Sequence, residues 1–456
     1  MKQKRSSSFK KLRILQLAAV IFFTVSGGPY GIEPLLSYAG KNASLLILLI
    51  TPFLWDVPTI FTVLELNGMM PVEGGYYQWV KRALGIKWAF YEGWWTWLYT
   101  FVDLAIYPVL FVEYASFFFP QIAAYKIPLC LLIIWTSAAL NILGIVPVGK
   151  ISTVLGVIVI IPFLILFAII FIHHPDAVTV PQLSFKGVGF SSLGMGLYTV
   201  MWNFFGWDNA TTYAGEVDKP VRSYMVAMSI SFILVFIMYQ IAVYTAQQSG
   251  IDFKVLSNEG FPALGVLLGG KWMGAMLAVG GMASALGLFS AVLLSVSRVP
   301  QVMASDQLIS ARLHTLHPKF KTPYISIIIC SLVVSAMIVW TFTDLLIMDV
   351  TLYGAGLFLE FISLIALRIH APNARRPYKI PLNIAGLCVM ISLSVATYAI
   401  GLTGAFLQSE KTLIPAIFAL CALCTAEIAW RLIIRKKPHI ALQKFNVSEF
   451  LPENEE

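Results

Sequence analysis

Runs of about twenty predominantly apolar residues follow one another along almost the whole chain, each long enough to cross ~30 Å of hydrocarbon. In that medium no water satisfies peptide N–H and C=O groups, so each segment must close its own hydrogen bonds as a helix. The chain is 58% hydrophobic and 12% charged, about half the charged fraction of ordinary soluble domains. The sequence predicts an all-α integral membrane protein with no room for a sizeable soluble domain.

Turn signals divide the runs into about twelve transmembrane helices, near 13–38, 43–66, 88–118, 127–146, 151–172, 192–215, 223–247, 271–298, 324–342, 345–368, 380–405 and 411–433. The start, Met1-Lys2-Gln3-Lys4-Arg5, resembles a signal peptide, but the apolar run continues to about Leu36 and reads as an uncleaved first span. The tail from Lys436 is polar and reads as loosely ordered. With these spans only Lys41, Lys126, Lys186, Lys254, Lys271 and Lys411 fall opposite the N-terminus. Every other Lys and Arg lies on its side. That asymmetry predicts cytoplasmic N- and C-termini, in the cell (plasma or inner) membrane, and assigns the net charge of +8 to topology rather than to nucleic acid.

Span one is broken near its middle by Ser26-Gly27-Gly28-Pro29-Tyr30-Gly31, with Glu33 directly after. An unwound stretch strands backbone groups at several kcal/mol each, and such breaks persist where they line a cavity. Span six carries a matching interruption, Trp202-Asn203-Phe204-Phe205-Gly206-Trp207-Asp208-Asn209. Breaks five spans apart fit two inverted five-helix repeats, 13–173 and 192–370, followed by two added helices at 380–434 and flanked by tails 1–12 and 435–456. Plain helix-packing kinks are the alternative.

The half-helix start after Gly28–Gly31 offers N–H groups and a positive dipole end to a carboxylate, and the freed carbonyls there and near Phe204–Gly206 suit an ammonium. Carboxylates dominate the spans: Glu33, Asp56, Glu65, Asp103, Glu113, Asp208 and Glu360. No Lys or Arg falls near the middle of a span. A carboxylate at mid-membrane costs at least ~2.5 kcal/mol, so these acids face the interior or hold a proton. An acidic interior favours a cationic solute, proton coupling, or both, with Glu33, Glu65 and Asp103 as proton carriers. Trp207 reads as a gate or cation–π wall, and Tyr107 as an aromatic beside an intramembrane acid. Trp94, Trp95, Trp97 and Tyr99 read as an interfacial belt. The Cys421-x-x-Cys424 pair marks one helix face, the histidines show no metal-ligand spacing, and no nucleotide-binding loop is present. No cofactor is expected; the proton gradient is the expected energy source. The expected partners are a small amine, protons and the lipid bilayer.

Together these stretches resemble the amino acid–polyamine–organocation permeases over nearly the full length, and above all the branch of polyamine uptake transporters and bacterial amino acid permeases. The resemblance is carried by Val25 through Glu33, Glu65 with Pro71-Val72-Glu73-Gly74-Gly75-Tyr76, Asp103 through Leu110, Trp207-Asp208, and Ala214-Gly215-Glu216-Val217 with Pro220. It implies the five-plus-five inverted-repeat fold, alternating access and usually proton symport or exchange. It gives Ser26, Gly27, Gly28 and Gly31 contact with the substrate's carboxylate and amine, and gives Phe204, Phe205, Gly206 and Trp207 the carbonyls and gate. Glu33, Asp103, Tyr107 and Asp208 complete the candidate substrate site, and Pro71–Tyr76 and Glu216 match cytoplasmic gating motifs. One departure stands out: span five carries no lysine within it, only Lys150 at its start. That loss does not establish sodium coupling, and a protonatable carboxylate such as Glu33 or Asp103 fits better. A neutral amino acid permease, an amino acid exchanger and a solute receptor that signals without flux remain as alternatives. A membrane enzyme lacks a nucleophile–base pair.

Overall fold

The computed structural model describes residues 11–173, 179–408 and 413–442. Most of the two expected tails lies outside them. Fifteen helices are described: α1 Ile14–Val25, α2 Pro34–Thr51, α3 Val57–Met69, α4 Gly75–Leu84, α5 Ile86–Ala115, α6 Lys126–Ile142, α7 Ile145–His173, α8 Phe190–Phe204, α9 Pro220–Gln248, α10 Phe253–Val296, α11 Arg298–Ser305, α12 Tyr324–Met337, α13 Phe342–His370, α14 Ile384–Gln408 and α15 Leu413–Lys436. Among the described residues nine helical stretches are long and apolar enough to cross a membrane, and α1 and α12 are shorter apolar helices. No β-ladder is present there beyond two isolated bridges.

Several boundaries differ from the sequence reading, each for a local reason. The helix after the first break turns at Gly40 (φ 72°, ψ 177°), and α2 continues beyond that kink into a π turn at Pro52–Asp56 before α3. The expected sixth span stops at Phe204; after the break the chain makes only two 3-10 turns, Asn209–Thr212 and Ala214–Glu216. The stretch read as the loop after span two contains the amphipathic α4, which buries Tyr76, Tyr77 and Trp79. Helix α10 starts well before expected, with kinks at Gly260 and Gly270. The start of the C-terminal tail is not loose: Lys437 Nζ donates to the Gln307 carbonyl at 2.7 Å, and Ile440 is buried.

The layers follow from burial. Helix α5 packs along α10 and α13, α1 packs on α7, α9 and α10, and α8 packs between α2 and α14. Glycines allow the closest approaches: a Cβ on Gly194 would collide with the Gly404 backbone, so its absence lets α8 meet α14. At the end carrying Leu12, the chain is clamped shut. Leu12 pairs with Val217 and Glu73 with Tyr213, and buried Arg298 holds Glu216 at 2.9 Å. At the opposite end a vestibule of about 1000 Å³ reaches inward between α2, α5 and α10.

Candidate substrate site

The first break is built from glycine conformations that other residues rarely adopt. Gly27, Gly28 and Gly31 have φ of 63°, 103° and 89°. A side chain at Gly28 or Gly31 would also strike Val159 at 2.5 Å or Trp202 at 2.6 Å. The fifth span starts earlier than expected, so Lys150 lies inside α7, exposed in its second turn, and what faces the break from that helix is the apolar Val159.

The unwound backbone is satisfied by its neighbours. The Tyr239 hydroxyl of α9 lies 2.8 Å from the Gly28 carbonyl and 2.9 Å from Asn203 Oδ1, and accepts from Ser26 Oγ at 3.1 Å. The Gly28 N–H donates to Ser26 Oγ at 3.1 Å, and Asn203 Nδ2 donates to the Gly31 carbonyl at 3.3 Å. Thus Asn203 from the second break and Tyr239 lock the first break in place. Sequence reading missed Tyr239, because a tyrosine inside an apolar run carries no mark of which face it takes.

Glu33 occupies the position expected of a substrate carboxylate. Its Oε2 accepts the Gly31 N–H at 2.5 Å and its Oε1 accepts the Tyr114 hydroxyl at 2.8 Å. The protein's own carboxyl sits at the start of α2, where the helix dipole favours negative charge.

Between the breaks lies a small cavity of about 10 Å³, room for roughly one water. Ser26, Asp103, Tyr107, Trp202, Asn203 and Phe205 line it. Tyr107 donates to Asp103. Asp103 also comes within hydrogen-bonding reach of Asp349 on α13, a residue the sequence reading passed over. Trp202 Nε1 donates to Asp349 Oδ2 at 3.2 Å, while Asp349 Oδ1, fully buried, has no donor. Two carboxyls facing each other have acceptors only, so what fits between them is a proton or an ammonium.

The other candidates are distributed around this centre. Phe205 stacks on Tyr353 with ring centroids 4.3 Å apart, and Phe204 packs on Tyr239. Gly206 (φ 95°) donates its N–H to the Tyr353 hydroxyl at 3.2 Å, and that hydroxyl donates to Asp208 Oδ1 at 2.8 Å. Asp208 does not line the cavity. Nor does Trp207: its buried indole N–H donates to Asp56 Oδ1 at 3.3 Å. Trp202 meets the break directly, with its ring on Gly31 at the vestibule floor and its indole N–H on Asp349 of the carboxyl pair. Glu65 is elsewhere, ion-paired with Arg368 and Arg376 at 2.6 and 3.1 Å. Tyr99 leaves the belt as well; it is buried and donates to Asn209 Oδ1 at 2.8 Å.

The vestibule above is acidic. Glu33, Glu113, Asp252 and Glu259 line it with Tyr38 and Tyr114, and among the described residues its lining holds no Lys or Arg. Carboxylates around a low-dielectric funnel concentrate cations at its floor.

Known proteins with similar chains are transport proteins. The model of the amino acid permease family matches residues 12–423. Polyamine transporter RMV1 of Arabidopsis thaliana is 31% identical over 90% of this chain and 83% of its own length. Polyamine transporter PUT1 of Oryza sativa subsp. japonica is 28% identical over 98% of this chain and 82% of its own. The serine/threonine exchanger SteT of Bacillus subtilis (strain 168) is 21% identical over 82% of this chain and 86% of its own.

Proposed function

The chain belongs to the amino acid permease family, and from that premise we propose that it is a proton-coupled secondary transporter of cationic amines, polyamines before cationic amino acids. The observation that carries this reading is the meeting of Asp103, which lines the buried cavity, with Asp349 on α13, and no Lys or Arg lines that cavity among the described residues. An ammonium entering between them would replace a shared proton and restore charge balance. Glu33 supports the polyamine branch, because it already fills the anion position that an amino acid's carboxylate would claim. The names of the plant relatives point the same way.

In this reading the fold is the twelve-helix, five-plus-five inverted repeat in the cell membrane, and the clamped Leu12 end faces the cytoplasm. The acidic vestibule then faces outward and collects cations. Trp202 swings aside to admit the amine to the carboxyl pair, and Phe205 with Tyr353 responds to its arrival. Inward opening separates Leu12 from Val217 and Arg298 from Glu216. A neutral amino acid exchanger is the competing reading, favoured by the Ser26-Gly27-Gly28 geometry and by the similarity to the serine/threonine exchanger.

Uptake into proteoliposomes, with a panel of polyamines and cationic and neutral amino acids as competitors, tests the proposal. Polyamines are expected to compete best, and an inward proton gradient to drive accumulation. Competition by neutral amino acids alone would overturn the cationic reading. Binding without net flux would make the protein a receptor.

A further inference from the structure

Helices α5 and α13 carry a second set of acids beyond the Asp103–Asp349 pair. Glu92 precedes Asp103 by eleven residues, and Glu360 follows Asp349 by eleven. That spacing is close to three helical turns, so each helix shows both carboxyls on one face, about 16 Å apart along its axis. The two helices run in opposite directions, which brings Glu92 and Glu360 together as it brings Asp103 and Asp349 together. Asp208, from the broken span six, joins them within hydrogen-bonding reach of Glu360.

All three carboxyls are buried: Glu92 is 1% exposed, Asp208 3% and Glu360 0%. Among the described residues they form no ion pair with Lys or Arg. Glu92 Oε1 takes the Thr96 hydroxyl at 3.2 Å and Asp208 takes Tyr353, but Glu92 Oε2 and both Glu360 oxygens have no donor. From α4, the buried Tyr76 hydroxyl lies close enough to feel the charge of all three acids and comes within hydrogen-bonding reach of Thr96, which itself donates to Glu92. Three carboxyl oxygens of the cluster thus stand without a donor.

Like charges this close in a low dielectric repel strongly, and here only a bound positive charge relieves them. The space decides which. A Cβ at Gly356 would lie 3.0 Å from Glu92 Oε1, so α13 already presses on the cluster. An alkylammonium needs room that this packing withholds, whereas a proton needs none. The route to the substrate cavity is short. Tyr353 donates to Asp208, accepts from Gly206 in the break and stacks on Phe205, which lines the cavity. A substrate that displaces Phe205 therefore moves the donor on which Asp208 depends.

We propose that Glu92, Asp208 and Glu360 form a proton site separate from the substrate site, loaded and emptied once per transport cycle and coupled to the substrate through Tyr353. Loading forms one O–H bond on a carboxylate with a proton from water on one side of the membrane. Release breaks that bond to water on the other side, and no electrons are exchanged. The inference rests on the proton-coupled reading above.

The test uses the full chain in proteoliposomes with labelled spermidine, comparing accumulation driven by a pH gradient with tracer exchange at equal pH. Wild-type indifference to the gradient would remove the proton-coupled reading itself, and this inference with it. Given a responsive wild type, Glu360→Gln and Glu92→Gln are expected to lose gradient-driven accumulation by at least roughly tenfold. Their exchange should stay within about twofold of wild type and lose its dependence on pH. Gradient-driven accumulation at the wild-type level in both variants overturns the inference while leaving the reading intact. Loss of both modes in both variants, with wild-type thermal unfolding, also overturns it, because the acids would then serve the substrate step.

Discussion

Arg368 grips Glu65 with two parallel contacts, Nε to Oε1 and Nη2 to Oε2, each of 2.6 Å. Arg376 adds a third contact at 3.1 Å and the Ile380 N–H a fourth at 2.8 Å, all around a fully buried carboxylate. A carboxylate ringed by two cations is a fastener rather than a proton carrier. It ties α3 to α13 and to the segment before α14. Glu65→Gln should therefore lower stability by about 3–5 kcal/mol, since it leaves a buried charge unpaired. Denaturation of the purified protein reads that loss, and the response of uptake to a pH gradient should survive. Full stability with loss of gradient-driven uptake would return the proton to Glu65.

Gly28 combines a backbone only glycine tolerates well (φ 103°) with a wall 2.5 Å from any Cβ. Gly40 shares the positive φ but has open space around it. Gly28→Val adds overpacking of about 1–3 kcal/mol to the backbone strain, whereas Gly40→Ala carries strain of about 1–3 kcal/mol alone. The first is expected to abolish amine binding in protein that still inserts into the membrane, and the second to retain it. Calorimetric titration of both purified variants decides. Unaltered affinity in Gly28→Val would mean that the break is not the site.

The two breaks were legible because clustered glycines, a proline and polar side chains interrupt an apolar helix by their own chemistry. Their partners were not. Asp349 falls near the predicted start of its span, where an acid reads as interfacial, yet α13 begins at Phe342 and carries it two turns inward. Tyr239, Tyr353 and Tyr114 are hydroxyl donors to the site, and nothing in an apolar helix marks which tyrosine turns inward. For Trp207, adjacency to the break in sequence did not say where the indole would lie; its N–H goes to Asp56, and the residue is not among those lining the cavity. Glu65 and its arginines are 303 and 311 residues apart along the chain, so their pairing had no local signal.

Glu73 lies in the clamp at the Leu12 end, beside Glu216, with Arg298 and His314 nearby. Loss of hydration raises its pKa above the ordinary glutamate value; the Glu216 charge adds to the rise, and Arg298 and His314 oppose it. A carboxyl raised in the clamped state stabilises that state when protonated. The contribution is complete below the free carboxyl's pKa of ~4.3 and is lost as pH climbs through the raised value. Acidification should therefore hold the Leu12 end shut, and Glu73→Gln should reproduce that effect at neutral pH. Labelling of a cysteine introduced at Val217 reads the opening, with the rate at each pH normalised to that of a free thiol because only the thiolate reacts. A lower normalised rate at low pH is expected in wild type, and a low, pH-independent normalised rate in Glu73→Gln. Faster labelling in the variant would reverse the assignment.

The sharpest prediction concerns Asp103 and Asp349 together. If the two carboxyls share one positive charge, replacing either by Asn leaves a lone carboxylate facing an amide, and the bridging geometry is lost at the first substitution. A charge-assisted hydrogen bond contributes ~1.5–3 kcal/mol, so Asp103→Asn and Asp349→Asn should each weaken spermidine binding by about 10- to 150-fold. The double variant should then be little worse than either single one, so the coupling energy is about the size of one single-variant loss, ~1.5–3 kcal/mol, within the range for groups in contact. Cys421→Ala, on an exposed face of α15, should bind as wild type does. Titration of the purified single, double and control variants completes the cycle. Strictly additive losses would mean that the carboxyls hold two separate charges, and wild-type affinity in both single variants would leave the cavity without its cation.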